Sequence, residues 1–184
     1  MDNLISFILK DASSLGITTA LEIDPRMLVP KPWVREFCYA NECGKYDKHY
    51  MCPPLIGSLE ETDKRLRDFK RCILLQYSKK LSTNQDFNEV ESTKTEFHLK
   101  ILQLENLLSS KGIPSVWGLM GGSCSLCPTC YAETDQPCLY PAKARPSPES
   151  MGIDITTLLD KLGINSQFYV DRITWTGCLL FNDD

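Results

Sequence analysis

Four cysteines crowd one short stretch of this chain: Cys124-Ser-Leu-Cys127-Pro-Thr-Cys130, followed by Cys138, a C-x2-C-x2-C-x7-C run. Thiolate sulfur is a soft ligand for transition metals. Three such groups at every third residue can wrap one side of an iron–sulfur cubane, with intervening amides turned toward the sulfides and a fourth ligand arriving from a more distant loop. Gly121 and Gly122 lead into the run, where the backbone must come close and a Cβ would collide.

The run differs from the bacterial ferredoxin spacing, C-x2-C-x2-C-x3-C-P, in its longer last interval. Zinc also accepts four thiolates, but its structural sites favour two separated C-x2-C pairs. Here two such pairs would have to share Cys127. The expectation is therefore a [4Fe–4S] cluster on Cys124, Cys127, Cys130 and Cys138, with zinc as the alternative.

A second group lies upstream, Cys38-x4-Cys43-x8-Cys52-Pro53-Pro54. It offers three thiolates, one short of a closed site. Either a fourth ligand comes from Cys72, Cys178 or His49, or one iron stays open to solvent or substrate. An open position points to catalysis, a closed one to electron transfer or structure. Cys72 and Cys178 sit in apolar segments that read as buried, inert side chains. Glu149, in Arg145-Pro-Ser-Pro-Glu149-Ser150, is a candidate acid or base beside a cluster. Phosphate-loop, nucleophile-elbow and His-Glu-x-x-His signatures are missing, as is the C-x3-C-x2-C run of radical S-adenosylmethionine chemistry.

The elements that must carry these loops follow from apolar spacing. Residues 4–15 fit a short amphipathic helix, and 17–23 a strand stopped by Asp24-Pro25. Residues 30–54, with four prolines and three cysteines, read as a loop held by something other than a core. Ser58-Leu-Glu-Glu61 has the form of a capping box for a helix reaching about residue 71, and residues 72–77 read as a strand buried on both sides. Residues 78–85 read as a polar connector. Phe97, Ile101, Leu104 and Leu108 define one face of a long helix over 86–110. That face predicts packing on the chain's own sheet rather than a heptad seam for dimerisation. A strand over 115–120, a helix capped by Asp154 and closed by Gly163, and one or two strands over 168–181 complete the reading. The expected architecture is α+β: one domain over residues 1–184, a small mixed or antiparallel sheet with helices, and two cysteine-rich metal-binding loops.

Composition sets the outer limits. Hydrophobic residues make up 42% of the 184, enough to bury a core, and the formal net charge of −4 comes without any basic stripe. Neither a nucleic-acid partner nor an anionic membrane surface is expected. The N-terminus begins Met1-Asp2, and its apolar stretch is too short for a secretory segment, so a cytoplasmic location is expected. Nine cysteines, an odd number, then favour metal ligation over disulfides.

Taken together, Cys38, Cys43 and Tyr46, Cys52-Pro53-Pro54, Gly122-Ser-Cys124-x2-Cys127-x2-Cys130, Cys138-x2-Pro141 and Arg145-Pro146-Ser147-x-Glu149-x2-Gly152-Ile153-Asp154 resemble a prokaryotic family described as predicted metal-binding proteins. The resemblance runs from about Cys38 to Gly163. It implies metal binding by seven cysteines in a bacterial or archaeal cytoplasm, and it implies no reaction. Three functional expectations follow. The first is a redox module with one or two [4Fe–4S] clusters that serves a partner protein. The second is an enzyme whose Cys38/Cys43/Cys52 cluster leaves an iron open to substrate. The third is a zinc-stapled interaction protein.

Overall fold

A computed structural model describes residues 3–82 and 86–183. Met1 and Asp2, on which the reading of the N-terminus began, and residues 83–85 of the expected connector lie outside the described residues. The helices are α1 (Asn3–Ser14), α2 (Pro32–Ala40), α3 (Leu59–Arg67), α4 (Phe87–Ser110) and α5 (Ile155–Lys161). The strands are β1 (Thr19–Ile23), β2 (Arg71–Lys80), β3 (Ser115–Leu119) and β4 (Arg172–Asn182), in the sheet order β1-β2-β4-β3, antiparallel throughout. The α+β class holds, and the sheet is antiparallel rather than mixed.

The two longest strands read out the pleat. On β2, Ile73, Leu75 and Tyr77 face one core and Cys72 and Leu74 the other. On β4, Leu179 and Phe181 alternate in the same way with Cys178 and Leu180. Helices α1 and α4 cover the first face, while α3 and α5 cover the second. Phe97, Ile101, Leu104 and Leu108 of α4 are all fully buried against the sheet, so this face lies on its own chain as its spacing predicts. Gly118 lets the helix approach, because a Cβ there would stand 2.2 Å from Ile101 Cγ2.

Local chemistry sets the helix ends. Asp86 accepts the N–H groups of Asn88 and Glu89 at the start of α4, and Asp154 accepts that of Thr157 at the start of α5. The Ser58–Glu61 capping box is present in full, although α3 ends at Arg67, short of residue 71. Three further expectations need correction. Residues 32–40 of the presumed loop are helical, because Pro32 takes the first-turn position, where its missing N–H costs nothing. Strand β2 runs on to Lys80, into the expected connector, because β4 pairs with it residue by residue as far as Arg172. Residues 168–171 precede β4 rather than forming part of it. No helix among the described residues is long and apolar enough to cross a membrane.

His98, on α4, is fully buried; its Nε2 donates to the carbonyl of Lys143 at 2.9 Å, and its Nδ1 has no partner. Burial therefore depresses its pKa below the ordinary value. A depressed pKa means the unfolded chain binds the proton first. The neutral ring's contribution to stability is complete above about pH 6.5 and is lost as pH falls through the lower folded value. His98→Gln keeps a donor for Lys143 and removes the titration. Urea melts between pH 7.5 and 5 should show wild type losing more stability than the variant on acidification; parallel losses would refute the assignment.

Candidate metal centre

The loop after β3 crosses Trp175 at its entry. A Cβ on Gly121 would lie 2.8 Å from Trp175 Cβ, and Gly122, at φ +71°, would place one 3.0 Å from Trp175 Cζ3. The glycines are thus required for close approach, as their place in the sequence indicates, but the neighbour they admit is an indole ring. Trp175 is itself fixed by its Nε1–H bond to Thr93 Oγ1, 2.9 Å, so the loop starts from a rigid floor on β4 and α4.

From that floor Cys124, Cys127, Cys130 and Cys138 all reach one pocket, about 360 Å³ of atom-free space with its open mouth included. Each of the four is partly exposed. Burial pushes the Cys124 thiol up from its ordinary value, and the sulfurs of Cys138 and Cys127 push it the same way. Backbone N–H groups of Leu126 and Arg145 hydrogen-bond to that sulfur and pull in the opposite direction, favouring thiolate. Cys127 is likewise raised by burial and then by Cys138 and Cys130. Cys124 and Cys127, each raised in part by neighbouring sulfurs, are thiols whose deprotonated form a cation would stabilise.

Arg145 is held so that its amide can serve Cys124. Its guanidinium makes a two-pronged pair with Glu105 of α4, 2.7 Å from Nε to Oε1 and 2.7 Å from Nη2 to Oε2, and Glu105 also accepts the N–H of Gly118 on β3. Side-chain exposures of 14% and 8% make this a buried ion pair. Nothing in the spacing of the cysteines points to it; Arg145 stood out only as part of the Arg145-Pro146-Ser147 motif.

The upstream group sits beside the first. Cys38 lies on the last turn of α2, Cys43 is exposed in the loop that follows, and Cys52 is buried below. Burial pushes the Cys52 thiol up to about 12, and the fields of Cys43, Cys38 and Cys130 add to this. Cys52 therefore feels a member of the downstream quartet as well as its own trio. His49 ties the two loops together. Its Nδ1 accepts the N–H of Met51 at 3.2 Å, which leaves the proton on Nε2 to donate to the carbonyl of Cys124 at 2.9 Å. Tyr50 adds an O–H bond to the carbonyl of Gln136, 2.7 Å.

These contacts bear on the three side chains considered for the trio's fourth ligand. Both nitrogens of His49 are committed to backbone groups. Cys72 and Cys178 are fully buried in the core beneath α5 and are hydrogen-bonded to each other. Glu149 instead faces Cys38 closely enough for its charge to raise that thiol. The Glu149 side chain is open to solvent, yet desolvation by the protein atoms around it raises its carboxyl pKa. Among the described residues no three His, Cys, Asp or Glu side chains meet closely enough to hold one metal ion as they stand. What the fold provides is a shared lining, not a closed shell of ligands.

The sequence profile of the family described as "Predicted metal-binding protein (DUF2284)" matches residues 21–181, a span that contains all nine cysteines. The chain belongs to this family. Comparisons with curated proteins and with solved structures give no match.

Because Glu105 is the only charge paired with Arg145 among the described residues, Glu105→Gln leaves a buried cation uncompensated. The expected cost is about 3–5 kcal/mol. It should appear as a lowered denaturant midpoint with an unchanged slope. A loss below about 1 kcal/mol would mean that water reaches the pair and that it does not anchor the loop.

Proposed function

We propose that this member of the predicted metal-binding family is an iron–sulfur protein, with a [4Fe–4S] cluster on Cys124, Cys127, Cys130 and Cys138 that exchanges single electrons with a partner protein. The observation that carries this reading is that all four cysteines of one glycine-led loop line one pocket, with two backbone N–H groups already directed at the Cys124 sulfur. The donor set fits such a group: four soft ligands, hydrogen bonds to sulfur, and partial exclusion of water, which are the levers by which a protein tunes cluster potential. When bound, the cluster supplies reversible one-electron chemistry. The chain's part is to hold the sulfurs, donate the amides and shield one side. Tyr131, Leu139 and Tyr140, each 40–50% exposed at the pocket, give its mouth an apolar rim suited to a transient protein contact.

Cys38, Cys43 and Cys52 are proposed as ligands of a second metal centre. Here a specific observation favours an open coordination position: His49, Cys72 and Cys178 are engaged elsewhere, so three cysteines stand with Glu149 as a further acid that acts on Cys38. An iron left open in this way would bind a substrate, and the protein would then be an enzyme as well as an electron carrier. Zinc remains the competing metal for either group, since it takes the same ligands.

Anaerobic purification followed by iron, sulfide and zinc analysis tests the reading. The expected result is iron with matching acid-labile sulfide and a visible absorption that bleaches on reduction. Cys130→Ala should remove most of the quartet's share. Stoichiometric zinc without sulfide, or full iron retained by the Cys130→Ala protein, would overturn it.

A further inference from the structure

A guanidinium buried without a carboxylate is costly, because its desolvation is not offset by a partner. Arg35, on α2, is 3% exposed. It donates Nη1–H to the carbonyl of Gly57, 3.1 Å, and Nη2–H to Thr62 Oγ1, 3.5 Å, while its Nε–H has no partner. Buried Lys94 is balanced by Glu91, and the largely covered Arg145 by Glu105. Arg35 makes no ion pair among the described residues. The groups whose negative charge would act on it are the thiols of Cys38 and Cys52 and the phenols of Tyr39 and Tyr46. At neutral pH the phenols and the free thiols alike keep their protons, so only sulfur that has lost its proton to a bound metal supplies the anion. Cys38 follows Arg35 by three residues on the same helix, one turn away on the same face.

We propose that Arg35 is the built-in counter-cation of a metal–thiolate centre on Cys38, Cys43 and Cys52. This rests on the reading of those cysteines as ligands. Metal displaces the thiol protons, so anionic sulfur stands beside the guanidinium only in the loaded protein. The cation is therefore a liability before loading and an asset after it. Arg35 acts through the ligands rather than on a reacting atom, which makes it a positioning residue. Its bonds to Gly57 and Thr62 also brace α2 against the start of α3, next to the loop that carries Cys52, so charge and frame are supplied by one side chain.

The test uses the full chain, reconstituted anaerobically with ferrous iron and sulfide, and compares Arg35→Met, Arg35→Gln and Arg35→Lys with Cys52→Ala. Arg35→Met should leave the metal-free protein as stable as wild type or more so, yet make the loaded protein less stable than loaded wild type. Its affinity for iron at the trio should fall by roughly 10–100-fold. The iron content of Arg35→Met should drop to that of Cys52→Ala, with no further loss in the double variant. Arg35→Lys, which keeps the charge, should retain more iron than Arg35→Gln, which keeps only hydrogen bonding; this pair carries the test if Arg35→Met does not fold. Equal destabilisation of the metal-free and loaded forms, or wild-type iron in Arg35→Gln, would show a merely structural anchor and overturn the proposal. Iron lost from Cys52→Ala but kept by all three arginine variants overturns the proposal alone, whereas equal iron in wild type and Cys52→Ala overturns the reading of the trio beneath it.

Discussion

One carboxylate ties the end of the cysteine loop to the core. Glu105 on α4 pairs with Arg145 and also accepts the amide of Gly118 on β3, so a helix, a strand and the end of the cysteine-bearing loop converge on a single buried group. The amide of Arg145 is then set where it reaches the Cys124 sulfur. Buried ion pairs contribute little net stability compared with apolar packing, but they tolerate few alternative geometries. That is the property a sulfur site needs, because residues 120–154 form no strand and have no ladder of hydrogen bonds to fix their course.

The rest of the site is built by loops leaning on one another. Thr95 on α4 shares a hydrogen bond with Ser125, His49 binds the carbonyl of Cys124, and Tyr50 reaches Gln136. Each of these bonds joins a cysteine loop either to the long helix or to the other cysteine loop. The sheet's part is indirect: by packing both faces of β2 and β4 it fixes α4 and Trp175, on which the glycine-led entry rests. Two cysteine groups separated by more than seventy residues in sequence thereby become neighbours.

Much of this was legible in the sequence, and what was missed shares a physical cause. The capping box, the buried face of α4, the doubly buried β2 and the cysteine quartet all depend on periodicity or spacing, which one sequence displays directly. Helix α2 was hidden because its pattern is partly inverted: Trp33, Phe37 and Tyr39 are exposed, while Arg35 is buried beside Val34. Apolar periodicity finds helices that turn hydrocarbon toward hydrocarbon, and beside Val34 this one buries a cation that bonds to Gly57 and Thr62. His49 was noticed as a possible ligand, but which atoms its nitrogens meet is decided by a carbonyl 75 residues away. The need for Gly121 was visible and its partner, Trp175, was not, since close approach requires space without naming what fills it.

The inverted helix also distinguishes the two cysteine groups electrostatically. Around the quartet the nearby cations are already neutralised, Arg145 by Glu105 and Lys94 by Glu91, and Cys124 receives only the partial positive charge of backbone amides. Around the trio the guanidinium of Arg35 makes no ion pair among the described residues, although the Glu149 carboxyl acts on Cys38, and it lies inside the protein where screening by salt is weak. A full charge at low dielectric stabilises neighbouring anions more than amide dipoles do. Equal chemistry at the two groups would therefore carry unequal energies.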